Sequence, residues 1–168
     1  MIRPAIFADT PAIERLLRRV HAKSKYASLT PLNDKALNQT VMSLIAGQNQ
    51  NGPMATHVTV VEHQGKVLGF MAASLNRIYN ICDKLVASDT FIISESRRAS
   101  DTVAMIDAYI EWAKANPKVI EIILTWSDAV PGGEKMAKLY TRKGFRLVGE
   151  QYEMGHEMRL SRAWEEAA

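Results

Sequence analysis

A single cysteine in 168 residues, Cys82, rules out an internal disulfide framework and any zinc site built on cysteine, and it fits a reducing compartment. No apolar run approaches the roughly 18 residues that a membrane span needs, and Met1-Ile2-Arg3-Pro4 lacks the hydrophobic region of a signal peptide. An excess of one charge is missing too. The 21 Lys+Arg against 18 Asp+Glu leave +3, with the signs interspersed, so no basic stripe for a nucleic acid forms. The four histidines give no metal site: His57 and His63 share a strand face but stand too far apart, and His21 and His156 lack partners at ligand spacing. What is present is enough for a core, since 47% of residues are hydrophobic. The expectation is one cytoplasmic domain over residues 1–168, in which the charged, Ala-rich tail 159–168 carries no function.

Periodicity orders the chain. A short strand near Ile2–Phe7 precedes an amphipathic helix, Pro11 to about Lys25, with Ile13, Leu16, Leu17 and Val20 on one face and Thr10 as its N-cap. Asn33 or Asp34 caps a second helix bearing Leu37, Val41, Leu44 and Ile45, which stops at Gly47. Two β-branched runs, His57–His63 and Lys66–Ser74, flank Gln64-Gly65 as a hairpin. Leu85–Ile93 is a further strand and leads through Ser94–Asp101 into a helix, Ser100–Ala115, ended by Pro117. Its inner face is read as Val103, Ile106, Ile110 and Ala113. Val119–Trp126, nearly all apolar, reads as a central strand buried on both faces. A short helix, Glu134–Lys143, ends at Gly144, and Phe145–Gly149 with Tyr152–Met158 make a last strand pair. The fold class is α/β, a mixed sheet with helices on both faces.

Two segments can carry chemistry. The junction Ile92–Thr102 sends a strand directly into a helix N-terminus, where unpaired N–H groups and the helix dipole favour an anion, and Arg97 and Arg98 flank it. In Met136-Ala-Lys-Leu-Tyr-Thr-Arg-Lys-Gly-Phe145, Tyr140 is a phenol that could protonate a leaving thiolate. The bland alternatives are a solvated Arg pair beside a capped helix and a Tyr packed at the core edge.

Together these segments resemble the GNAT superfamily of acetyl-CoA-dependent N-acyltransferases. Its pyrophosphate motif, Arg/Gln-x-x-Gly-x-Gly/Ala, aligns with Arg97-Arg98-Ala99-Ser100-Asp101-Thr102, and its later Leu-Tyr-x-x-x-Gly-Phe element aligns with Leu139–Phe145. The opening Ile2-Arg3-Pro4-Ala5 and the hairpin Val67-Leu68-Gly69-Phe70 are similar as well, and the style is that of small acetyltransferase-like proteins of phages and prophages. The resemblance implies a GNAT fold with a central, mostly antiparallel sheet, acetyl-CoA as co-substrate and an amine as acceptor. Residue by residue, it implies that Ile92, Ile93 and Ser94 pair with the pantetheine arm and that an Ile92 or Ile93 N–H faces the thioester oxygen. Arg97, Arg98, Ala99, Ser100, Asp101 and Thr102 would hold the pyrophosphate, and Tyr140 would be the general acid. The arm would enter a splayed gap between the strands Leu85–Ile93 and Val119–Trp126, with Trp126 at the acceptor's mouth.

The sequence departs from the pattern at both motif glycines, replaced by Ser100 and Thr102, and places an acid, Asp101, between them. That implies weakened or altered acyl-CoA binding and leaves open a different acyl donor, or a GNAT-fold module without catalysis. No base is evident: Asp89, placed by alternation on the face of Ala87 and Phe91, and Asp128 are the candidates. No membrane or nucleic-acid partner is expected, and pairing of edge strands into a homodimer stays open.

Overall fold

The structure, a computed structural model, describes residues 1–149. The chain falls into two compact units: Met1–Leu17 with Asn33–Thr125, and Arg18–Leu32 with the chain from Trp126 onward.

The first unit is built on a five-stranded sheet of order β1-β2-β3-β4-β5. Its strands are β1 (Ile2–Pro4), β2 (Thr56–His63), β3 (Lys66–Arg77), β4 (Leu85–Ser94) and β5 (Val119–Ile123). The first four run antiparallel, and β5 lies parallel to β4. The sheet is therefore mixed and mostly antiparallel, with helices on both faces. On one face, the Thr56 hydroxyl donates to the Leu44 carbonyl of α2 (Asp34–Ala46) at 2.5 Å. On the other lies α3 (Ala99–Lys114), whose Tyr109 and Trp112 rings meet His57 at 6.3 and 5.2 Å. Met71, Met105, Ile106, Tyr109 and Ala113 are wholly buried, so the core continues from the sheet into α3. No helix among the described residues is long and apolar enough to cross a membrane.

Several boundaries differ from the periodicity reading. β1 ends at Pro4, and a 3-10 turn, Phe7–Asp9, precedes α1 (Thr10–His21). Thr10 does not cap that helix: it lies inside it, buried, with its hydroxyl 3.5 Å from the Met42 sulfur. The polar work at this end falls to Asp9, which takes both terminal nitrogens of Arg3 (2.7 and 2.9 Å) and the Ile6 N–H. Arg3 in turn reaches Glu62 at 2.7 Å. Asn33, rather than Asp34, caps α2 by accepting the Ala36 N–H at 3.0 Å. The buried stripe of α3 runs through Asp101, Met105, Ile106, Tyr109 and Ala113, leaving Val103 and Ile110 half-buried. The Tyr109 hydroxyl explains the rotation, since it donates to the Ile123 carbonyl at 2.9 Å and draws its own face inward.

The apolar run from Val119 is not buried on both faces, as a central strand was expected to be. It pairs with β4 alone, its other edge has no partner among the described residues, and Ile120 is 62% exposed.

In the second unit, α4 (Glu134–Arg142) ends as expected at Gly144, whose φ of 89° is a left-handed conformation that a Cβ disfavours. Phe145–Gly149 forms no strand pairing among the described residues, and Tyr152–Met158 and the tail 159–168 lie outside them.

Candidate functional site

β4 keeps its register with β3 as far as Ser94, opposite Gly69, but pairs with β5 only from Leu85 to Ser88. From Asp89 onward the edge facing β5 has no strand partner among the described residues, at the place where the resemblance implies a splayed gap. Asp89 stands at its apex. Its carboxylate crosses to the chain after β5, accepting the Thr125 N–H at 2.8 Å and the Thr125 hydroxyl at 3.1 Å. Burial raises the Asp89 pKa, and the Thr125 hydrogen bonds oppose that rise. Asp89 is thus committed to holding the two strands where they part.

A bulge at Thr90 changes which residues share a face. Ala73 pairs with Asp89 and Ala72 with Phe91, so Thr90 is the extra residue. Alternation had put Asp89 and Phe91 on one face. The bulge puts them on opposite faces, and the Phe91 ring lies 6.0 Å from that of Phe70.

The same register decides which amides are available. Glu95 donates its N–H to the Leu68 carbonyl of β3 at 2.7 Å. Strand amides alternate, so the Ile93 N–H also faces β3, while those of Ile92 and Ser94 face the open edge. Gly69 permits this close pairing, because a Cβ there would stand 2.7 Å from the Ile93 carbonyl oxygen and 3.1 Å from the Ser94 Cα.

Beyond Ser94 the chain turns into α3. Ser96 accepts the Arg98 N–H at 3.2 Å, and the helix begins at Ala99 with Arg98 as its N-cap. Ser100 is therefore a first-turn residue and not the cap. The Ala99 and Ser100 N–H groups have no hydrogen-bond partner among the described residues, and Arg97 and Arg98 are exposed without an ion pair there. Asp101, 9% exposed, is turned inward: its Oδ2 takes the Ser96 hydroxyl and lies 2.8 Å from His63 Nε2. Those two hydrogen bonds hold its carboxyl below the ordinary carboxylate range. This cluster was missed in the sequence, because its partners lie 5 and 38 residues from Asp101.

In the second unit, Tyr140 is 6% exposed. The Gly144 N–H reaches the Thr141 carbonyl at 3.0 Å and the Phe145 N–H the Tyr140 carbonyl at 3.1 Å, which is a Schellman cap. The Tyr140 and Phe145 rings, 6.3 Å apart, complete it. The spacing Leu-Tyr-x-x-x-Gly-Phe therefore also has a purely local cause. Asp128 pairs with Lys25 at 3.1 Å, and Trp126 is 46% exposed.

No family model and no curated protein sequence matches the chain. Solved structures do. An acetyltransferase of Trypanosoma brucei is similar at a TM-score of 0.64 and 18% identity, over 92% of this chain and 98% of that one. AAC(6')-Iy, in complex with the bisubstrate analogue CoA-S-monomethyl-acetylneamine, is similar at 0.67 and 18%, over 94% and 97%. The fold is that of the GNAT acyltransferases. A transcriptional regulator of Bacillus halodurans is similar at 0.68 and 14% identity, over 92% and 98%, so GNAT likeness by itself leaves activity to be argued from the site. Of the residues aligned with GNAT motifs, Ile92 to Thr102 form one continuous corner of the first unit, at the open edge of β4 and the start of α3. Two clefts of about 480 Å³ lie elsewhere in that unit, one beside α2 at Ser43, Thr56 and Ser74, the other between Ala5, Gln48 and Trp112.

Proposed function

We propose that this protein is an acyl-CoA-dependent N-acyltransferase, with acetyl-CoA as donor and an amine as acceptor. The observation that carries the reading is the corner just described. An open strand edge offers the Ile92 and Ser94 amides and runs into a helix start whose Ala99 and Ser100 N–H groups, like the neighbouring Arg97 and Arg98 side chains, have no partner among the described residues. An extended amide-bearing arm suits the strand edge, as an added strand, and a diphosphate suits the helix start. The replaced glycines do not remove the needed groups, because Ser100 and Thr102 keep their backbone and Asp101 points away from it.

The donor supplies a thioester. In the proposed reaction the Ile92 N–H donates to its carbonyl oxygen, which gains negative charge as a neutral amine attacks. The C–N bond forms as the C–S bond breaks. Tyr140, the acid the resemblance implies, gives its proton to the departing sulfur, and the amine's proton passes through solvent to restore the phenol. Asp89 and Asp128 are already engaged with Thr125 and Lys25, so neither is assigned as base. That engagement favours a second reading, a GNAT-fold module that binds acyl-CoA without turning it over.

Thiol release from acetyl-CoA in the presence of an amine panel separates the two. Release by the wild type, with at least a tenfold lower rate in Tyr140→Phe, is the expected outcome for a lost general acid. Unchanged turnover in that variant removes Tyr140 from the mechanism. Binding with no release against any amine supports the module.

A further inference from the structure

We propose that Asp101, His63 and Ser96 are positioning residues for the anion site, and that Asp101 strengthens acyl-CoA binding where its charge alone would weaken it. The inference rests on the acyl-CoA reading of the β4–α3 corner.

A carboxylate in the first turn of a helix is favourable to the helix dipole but competes with any anion bound there. If Asp101 faced the open side, it would repel a diphosphate. It faces the other way. His63, the last residue of β2, holds its Oδ2 at 2.8 Å, and Ser96, in the loop that leads to α3, donates to the same oxygen. Ser96 uses its hydroxyl twice, because the oxygen that donates to Asp101 also accepts the Arg98 N–H at 3.2 Å. Ser96 therefore fixes the loop to the helix start, and Asp101 fixes the helix start to the end of β2. The consequence is local. With the Arg98 amide and the Asp101 carboxylate satisfied by Ser96 and His63, the Ala99 and Ser100 N–H groups have no partner among the described residues, and Arg97 and Arg98 are not neutralised by the nearest acid. In a loop without glycine, this clamp supplies the fixed geometry that backbone freedom would not.

The sign of one substitution distinguishes a clamp from a repulsive charge. CoA affinity is measured by calorimetry for the full chain and for Asp101→Ala, Asp101→Asn, His63→Ala and His63→Gln, with the ligand-free melting temperature of each. The clamp predicts about tenfold weaker CoA binding in Asp101→Ala and His63→Ala, the loss of a hydrogen bond to a charged group. Asp101→Asn and His63→Gln, which keep an acceptor and a donor, recover most of it. Equal or tighter CoA binding in Asp101→Ala overturns the proposal. So does a loss that the conservative variants fail to recover although they melt as the wild type does. A wild type that does not bind CoA at millimolar concentration overturns the acyl-CoA reading itself, a result distinct from either.

Discussion

His57 sits on β2 beneath α3, and burial lowers its pKa from 6.5 to about 4. Its Nε2 has no hydrogen-bond partner among the described residues, and its ring lies against Trp112 at 5.2 Å. A neutral ring suits that place and an imidazolium does not. Unfolded chains protonate histidine near pH 6.5, and the folded protein resists until about pH 4, so the unfolded state binds more protons between the two. Stability therefore falls as pH drops through that window. Urea unfolding at pH 7 and pH 5 measures it: the wild type should lose about 2 kcal/mol more than His57→Phe, whose ring does not titrate. Equal losses in the two proteins contradict the assignment. Asp9 answers acid differently. Arg3 holds its carboxyl below the ordinary range, so that stabilisation is complete above about pH 3.8 and goes only as pH falls below it.

At the scale of elements, the strand and helix order as far as α4 was readable from periodicity, because amphipathic stripes such as Ile13, Leu16 and Leu17 survive any tertiary arrangement. What periodicity could not carry was the break in its own rule. Nothing in Ser88-Asp89-Thr90-Phe91 marks Thr90 as an extra residue, yet the bulge there reverses every face assignment beyond it. The burial of β5 was misread for a related reason, since an apolar run records composition and not what covers each face of a strand. The clamp at Asp101 depends on His63, which only the folded sheet brings near. Gly69 was legible as part of a motif but not in its role. Gly69→Ala should cost about 2 kcal/mol in urea unfolding, because the added methyl meets the Ile93 carbonyl at 2.7 Å and backbone must give way. A midpoint unchanged from wild type contradicts the close approach of β3 and β4 beside the proposed arm site.

Across the whole molecule, the small positive balance of +3 has a local meaning. Of its cations, Arg3 and Lys25 are spent on Asp9, Glu62 and Asp128, whereas Arg97 and Arg98 stay exposed at the start of α3. The GNAT fold and this corner together make acyl-CoA the ligand to test, and they leave the acceptor to experiment. The central measurement is thermal unfolding with and without acetyl-CoA. A ligand at 100 times its dissociation constant stabilises by about 2.7 kcal/mol, which for a protein of this size raises the midpoint by roughly 5–10 °C. The account predicts a rise of that order that shrinks when Arg97 and Arg98 are both replaced by Ala. An unchanged midpoint for the wild type at millimolar acetyl-CoA would contradict it.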